Sequence, residues 1–84
     1  MKIKREMVWE ILQRLYDSEI NICLASFWDW WYAYTLDVKP YEDQKVDEFL
    51  DIKTIEGTLE VIIKDVLEKY PNSKFTKWFL ENNK

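Results

Sequence analysis

The sequence predicts one α+β domain over residues 1–84, in the order α-β-β-β-α-α, with a three-stranded antiparallel sheet packed on helices on one face. Three observations lead there. The chain opens and closes on apolar residues at helical spacing. Between them the period shortens to two, the alternation of half-buried strands. Two of the strand-like runs lie so close together that they imply a hairpin.

Residues 3–16 read as an amphipathic helix. Met7, Val8, Ile11, Leu12 and Leu15 recur at the i, i+3, i+4 spacing of one face. Lys2, Glu6, Glu10, Gln13, Arg14 and Asp17 take the other side. Trp9 and Tyr16 lie seven residues apart at the edge of the apolar face, where they are expected to shield the rim of the core, with a contact role as the lesser alternative.

Ser18 to Asn21 breaks the pattern. In the first strand Ile20, Ile22 and Leu24 point one way and Asn21, Cys23 and Ala25 the other. In the second, Tyr32, Tyr34, Leu36 and Val38 share a face opposite Trp31, Ala33, Thr35 and Asp37. The turn falls near Trp28-Asp29-Trp30. A tight hairpin turn normally takes Gly or Asn. Bulky residues there imply a longer or bulged loop, or selection for something other than turning. Residues 37–47 form a polar loop broken by Pro40. Glu48 to Lys53 is the third strand, with Leu50 and Ile52 inward and Phe49 opposite.

Thr54 is placed to cap the next helix. Ile55, Leu59, Ile62, Ile63, Val66, Leu67 and Tyr70 form its apolar face. Gly57 weakens the first turn by about 1 kcal/mol relative to Ala. Pro71 ends the helix by disfavouring helical geometry at Tyr70. Ser73 caps a short final helix that packs through Phe75, Trp78 and Phe79. The expected core is Ile11, Leu15, Ile22, Leu24, Leu36, Leu50, Ile62, Ile63, Val66 and Phe79.

A chain of this length buries only about 60% of the surface its unfolded form exposes. Five Trp, five Tyr and four Phe supply bulky core material. Most of that aromatic content is core filling. The stretch FWDWWYAY, Phe27 to Tyr34, goes further, because its aromatics fall on both sides of one strand.

The net charge is −4. Residues 17–51 hold nine acids and two lysines, a local net of −7. This opposes generic nucleic-acid binding, which needs a basic footprint. The chain has no histidine, which removes Ser-His-Asp and Cys-His nucleophilic arrangements and His-containing metal sites. Cys23 is the only cysteine, so it forms neither an internal disulfide nor a thiolate zinc site, and it fits a reducing compartment. The single glycine cannot build a phosphate-binding loop. No catalytic, cofactor-binding or metal-binding residues are therefore expected, and the protein reads as a non-enzyme. No run approaches the ~18 apolar residues of a membrane span. The N-terminus lacks the continuous apolar stretch of a signal peptide, so a cytoplasmic location is expected.

What remains points to protein contact. Tyr and Trp are preferred anchors of binding hot spots, and acids around them steer a basic partner. The candidate partner-binding residues are Trp28, Asp29, Trp30, Trp31, Glu42, Asp43, Asp47 and Glu48. The acid pairs Glu42-Asp43 and Asp47-Glu48 also read simply as solvated charge. Two functional readings stand. One is an interaction protein that blocks a basic, nucleic-acid-handling partner. The other is a self-associating module with a homodimer interface on the open face of the sheet.

The αβββα order resembles the double-stranded RNA-binding domain in topology. That family grips phosphates with a lysine-rich start to its second helix. Here the matching segment is TIEGTLE, with Glu56 and Glu60 and no lysine, so direct RNA binding is not expected. A second resemblance rests on SEIN (18–21), FWD (27–29) and YPNS-x-F (70–75). These are similar to motifs of small proteins of phages and mobile elements, and they span most of the chain. Their usual Gly-Gly after Trp-Asp is replaced here by Trp30-Trp31. These motifs mark architecture, not activity. Small size, the absence of catalytic residues, clustered acids and surplus aromatics are what suggest an anti-CRISPR-like inhibitor of host defence, acting in the bacterial cytoplasm on a host protein such as a CRISPR effector.

Overall fold

The computed structural model describes residues 2–27, 31–36 and 48–82, and its class is α+β. A 3-10 turn, Arg5–Met7, leads into α1 (Val8–Asp17). Two strands follow, β1 (Ile22–Phe27) and β2 (Trp31–Leu36). A three-residue segment, β3 (Glu48–Leu50), precedes α2 (Ile55–Lys69) and α3 (Lys74–Asn82).

The first helix begins later than its periodicity predicts. Ile3 lies ahead of it as a buried, non-helical residue. Its amide donates to Glu60 Oε1 at 3.1 Å, which ties the N-terminal segment to α2. Ile11 and Leu15 carry the buried face of α1. Trp9 and Tyr16 do not shield the core rim. They are 81% and 73% exposed. At roughly 100° per residue both point more than about 100° away from the Ile11–Leu15 direction, so helical geometry turns them to solvent.

The β1–β2 pair is antiparallel over six rungs, from Ile22 opposite Leu36 to Phe27 opposite Trp31. This register leaves residues 28–30 as the connection. The turn expected there, and the polar loop expected at residues 37–47, lie outside the described residues. β3 pairs antiparallel with β2, Leu50 opposite Tyr32 and Glu48 opposite Tyr34. Strand pairing stops at Leu50 although the sequence pattern runs on to Lys53. The reason is register: Ile52 would need a partner beyond Trp31, where β2 begins.

The core joins Leu36, Tyr34 and Leu50 of the sheet to Leu59, Ile62, Ile63 and Val66 of α2 and to Phe75 and Phe79 of α3. Ile22 and Leu24, expected inside, are only partly buried against it. Ile3, Ile20, Tyr34, Leu59 and Phe75 are buried as well. Thr54 Oγ1 accepts from the Gly57 amide at 3.1 Å, the N-cap bond expected of it. Ser73 Oγ does the same for Thr76 at the start of α3, also at 3.1 Å.

Candidate interaction surface

Six of the eight sequence-selected residues, Trp28, Asp29, Trp30, Glu42, Asp43 and Asp47, lie outside the described residues. The backbone places the other two. Trp31 holds the last rung of the hairpin, opposite Phe27. Glu48 pairs with Tyr34 three positions further along β2. At ~3.3 Å per residue that sets the two rungs about 10 Å apart. The register thus sets the Glu48 backbone beside β2, three positions from Trp31.

The described residues display a second aromatic surface, on α1. Trp9 and Tyr16 stand two turns apart on one stripe, with Leu12 between them and half-buried. Beside Trp9 lies an open groove of about 510 Å³. Val8, Trp9 and Leu12 form one wall, and Tyr32 and Ile55 line the groove with them. Arg5 and Glu56 bridge one end, Nε to Oε1, at 3.1 Å. That pairing occupies the groove's carboxylate with a salt bridge. A smaller groove of about 460 Å³ lies between Ile52, Gly57, Glu60, Val61 and Lys64. There Glu60 is engaged as acceptor for the Ile3 amide. Neither groove presents two carboxylates facing a common space, so neither offers an acid-base pair.

On the far side of α1, Arg14 sits over the Trp78 ring, Cζ 4.6 Å from its centroid. Trp78 is half-buried and packs against Phe75 and Phe79 at 5.8 and 6.4 Å between centroids. This tryptophan joins α1 to α3 and is structural.

Among the described residues no group of three acidic or cysteine side chains is placed to hold a metal ion. Among them also, no helix is long and apolar enough to cross a membrane. Sequence reasoning assigned Trp9 and Tyr16 to the core rim. The signal for the other assignment was present, since Glu10 and Gln13 mark the polar side that both aromatics lean toward. Comparison with protein-family models, curated proteins and solved structures finds no match for this chain.

Proposed function

We propose that this protein is a small acidic, non-enzymatic interaction protein that binds a host protein with a basic, nucleic-acid-handling surface. On this reading the partner is a bacterial defence protein such as a CRISPR effector, met in the host cytoplasm, in keeping with the resemblance to phage and mobile-element proteins. The observation that carries this reading is the local charge of −7 over residues 17–51, interleaved with the FWDWWYAY stretch. Aromatic anchors supply contact energy and the acids supply orientation and association rate. In the fold that accompanies this reading, Glu48–Leu50 is the third strand of a meander with helices on one face. The opposite face is then left for contact.

A pull-down from bacterial lysate tests it, with the tagged protein and a variant reversing Glu42, Asp43, Asp47 and Glu48. Capture of a nucleic-acid-handling protein by the first and not the second is the expected result. Capture of the same proteins by both would sink the acidic-surface reading. The competing reading is a homodimer through the open sheet face. Cys23 and Ala25 of β1, on the face away from Tyr34, are half covered, while Thr35 opposite Cys23 on that face is buried.

A further inference from the structure

We propose that α1 is a homodimerisation face, and that two copies of this chain pack their α1 helices antiparallel about a two-fold axis. This does not rest on the host-partner reading: its aromatic residues lie outside that surface, and of the −7 segment it uses only Asp17 and Glu19.

The first observation is the stripe itself. Trp9 and Tyr16 are mostly exposed, and Leu12 between them leads into the groove beside Tyr32 and Ile55. A single exposed apolar residue means little. A continuous patch of large ones with an adjoining groove marks a contact.

The second observation identifies the occupant. Lys2, Lys4, Arg5 and Glu6 before α1 are all exposed and sum to +2. Asp17 and Glu19, at and just after its C-terminal end, are exposed and sum to −2. A helix macrodipole favours the reverse arrangement. Within the helix, Glu10 and Arg14 obey the dipole and pair with each other at 3.6 Å. Only the outer charges run against it. Arg5 keeps its side chain 87% exposed even while bonded to Glu56. A second copy lying antiparallel sets the basic end of each helix against the acidic end of the other, at both ends of the contact. A parallel copy sets like against like. The charge order therefore selects an isologous, two-fold pair.

The same arrangement brings the Tyr16 end of one helix toward the Trp9 end of the other, where the groove offers space for an aromatic ring. Two Trp and two Tyr at ~150–250 Å² each would bury about 600–1,000 Å². That falls short of the ~1,200–2,000 Å² of a standard stable interface. The dimer is accordingly weak and concentration-dependent, and it loosens as salt screens the end charges.

Sedimentation of the full chain at concentrations up to ~1 mM tests this, with three variants. Lys4→Glu with Arg5→Glu makes both ends acidic. Asp17→Lys with Glu19→Lys makes both ends basic. Trp9→Ala removes the anchor from a site that the fold does not need. Wild type is expected to dimerise, and each variant to lose at least ~10-fold in affinity. Mixing the two charge variants is expected to restore association, because the heterodimer pairs opposite charges at both ends. Both charge variants move toward the order the dipole prefers, and the bridge that Arg5→Glu gives up is a surface pair worth about 0–1 kcal/mol, so circular dichroism should show folded helices. A wild type that stays monomeric overturns the proposal. So does a dimer indifferent to Trp9→Ala. Charge variants that fail to recover on mixing overturn the antiparallel arrangement.

Discussion

The Ile20 amide donates to the Leu15 carbonyl at 3.0 Å, closing α1 and aiming the chain into β1. Between them Glu19 takes φ 60° and donates its amide to the Tyr16 carbonyl at 3.0 Å. The two bonds make a Schellman closure, and the buried pair Leu15 and Ile20 supplies its apolar contact. The left-handed residue in such a motif is usually Gly, because a Cβ there is strained. Glu19→Gly is therefore expected to stabilise the protein by about 0.5–1 kcal/mol, the relieved strain outweighing the added chain entropy. Urea unfolding reads this directly. A loss of stability would show that the Glu19 side chain contributes more than its backbone costs.

That closure also shows where sequence reading stops. The end of the helical period at Ser18 was visible in the pattern. The way the helix ends was not, because no Gly marks it. The N-caps Thr54 and Ser73 were legible because their side-chain chemistry announces them. Tyr34 and Leu36 were placed on one strand face by alternation alone, and both are buried. At Trp9 and Tyr16 hydrophobicity favours the core rim over a contact role, and the helical angle reverses that order by turning both to solvent. In so small a domain a large aromatic near the apolar face is expected to be used by the core. Ile3 was read as helical, when burial in an extended segment held by Glu60 gives it a better position.

Gly57 illustrates propensity overruled by packing. By propensity alone, Gly57→Ala would gain about 1 kcal/mol. A Cβ there would meet Ile52 Cγ2 at 2.9 Å and Thr54 Oγ1 at 3.0 Å. The second of these is the capping oxygen that the Gly57 amide itself uses. The substitution is expected to give no gain, and to lower the melting temperature as the cap and Ile52 shift. A clear rise in melting temperature would mean that both neighbours yield freely.

Tyr34 connects sheet to helix by more than apolar contact. Its ring is 3% exposed, and its hydroxyl donates to Asp65 Oδ2 at 3.1 Å. Lys69 Nζ approaches the same carboxylate oxygen at 3.4 Å. Tyr34→Phe keeps the buried ring and removes this hydrogen bond. The expected cost is about 1–1.5 kcal/mol, because Asp65 stays partly solvated and retains Lys69. Chemical denaturation of the two proteins measures it. An unchanged midpoint would mean that water replaces the phenol at no cost.

The acidic segment is expected to serve association more than folding. Reversing Glu42, Asp43, Asp47 and Glu48 should slow binding of a basic partner and flatten its salt dependence. The melting temperature should change little, because a solvated charge contributes only about 0–1 kcal/mol. Stopped-flow association at two ionic strengths, beside a thermal melt, separates the effects. A large shift in melting with unchanged association rates would make these acids structural.

The tryptophans of FWDWWYAY decide how much of the functional reading survives. Phe27 opposite Trp31 is the last described rung of the hairpin; Trp28 and Trp30 lie outside the described residues. Bulk of this kind does not favour a tight turn, so turning alone does not account for it. We expect at least one of these indoles to be exposed in the free protein and covered in a complex. As a hot spot it would contribute about 2 kcal/mol or more to binding. Alanine at Trp28, Trp30 and Trp31 in turn should weaken partner capture while preserving the melting temperature. Trp9→Ala is the internal control for an exposed tryptophan, since its 81% exposure predicts almost no effect on monomer stability. If the hairpin variants instead lose the ~3–5 kcal/mol of a truncated core aromatic, these tryptophans extend the core. The contact surface of the protein must then be sought on α1.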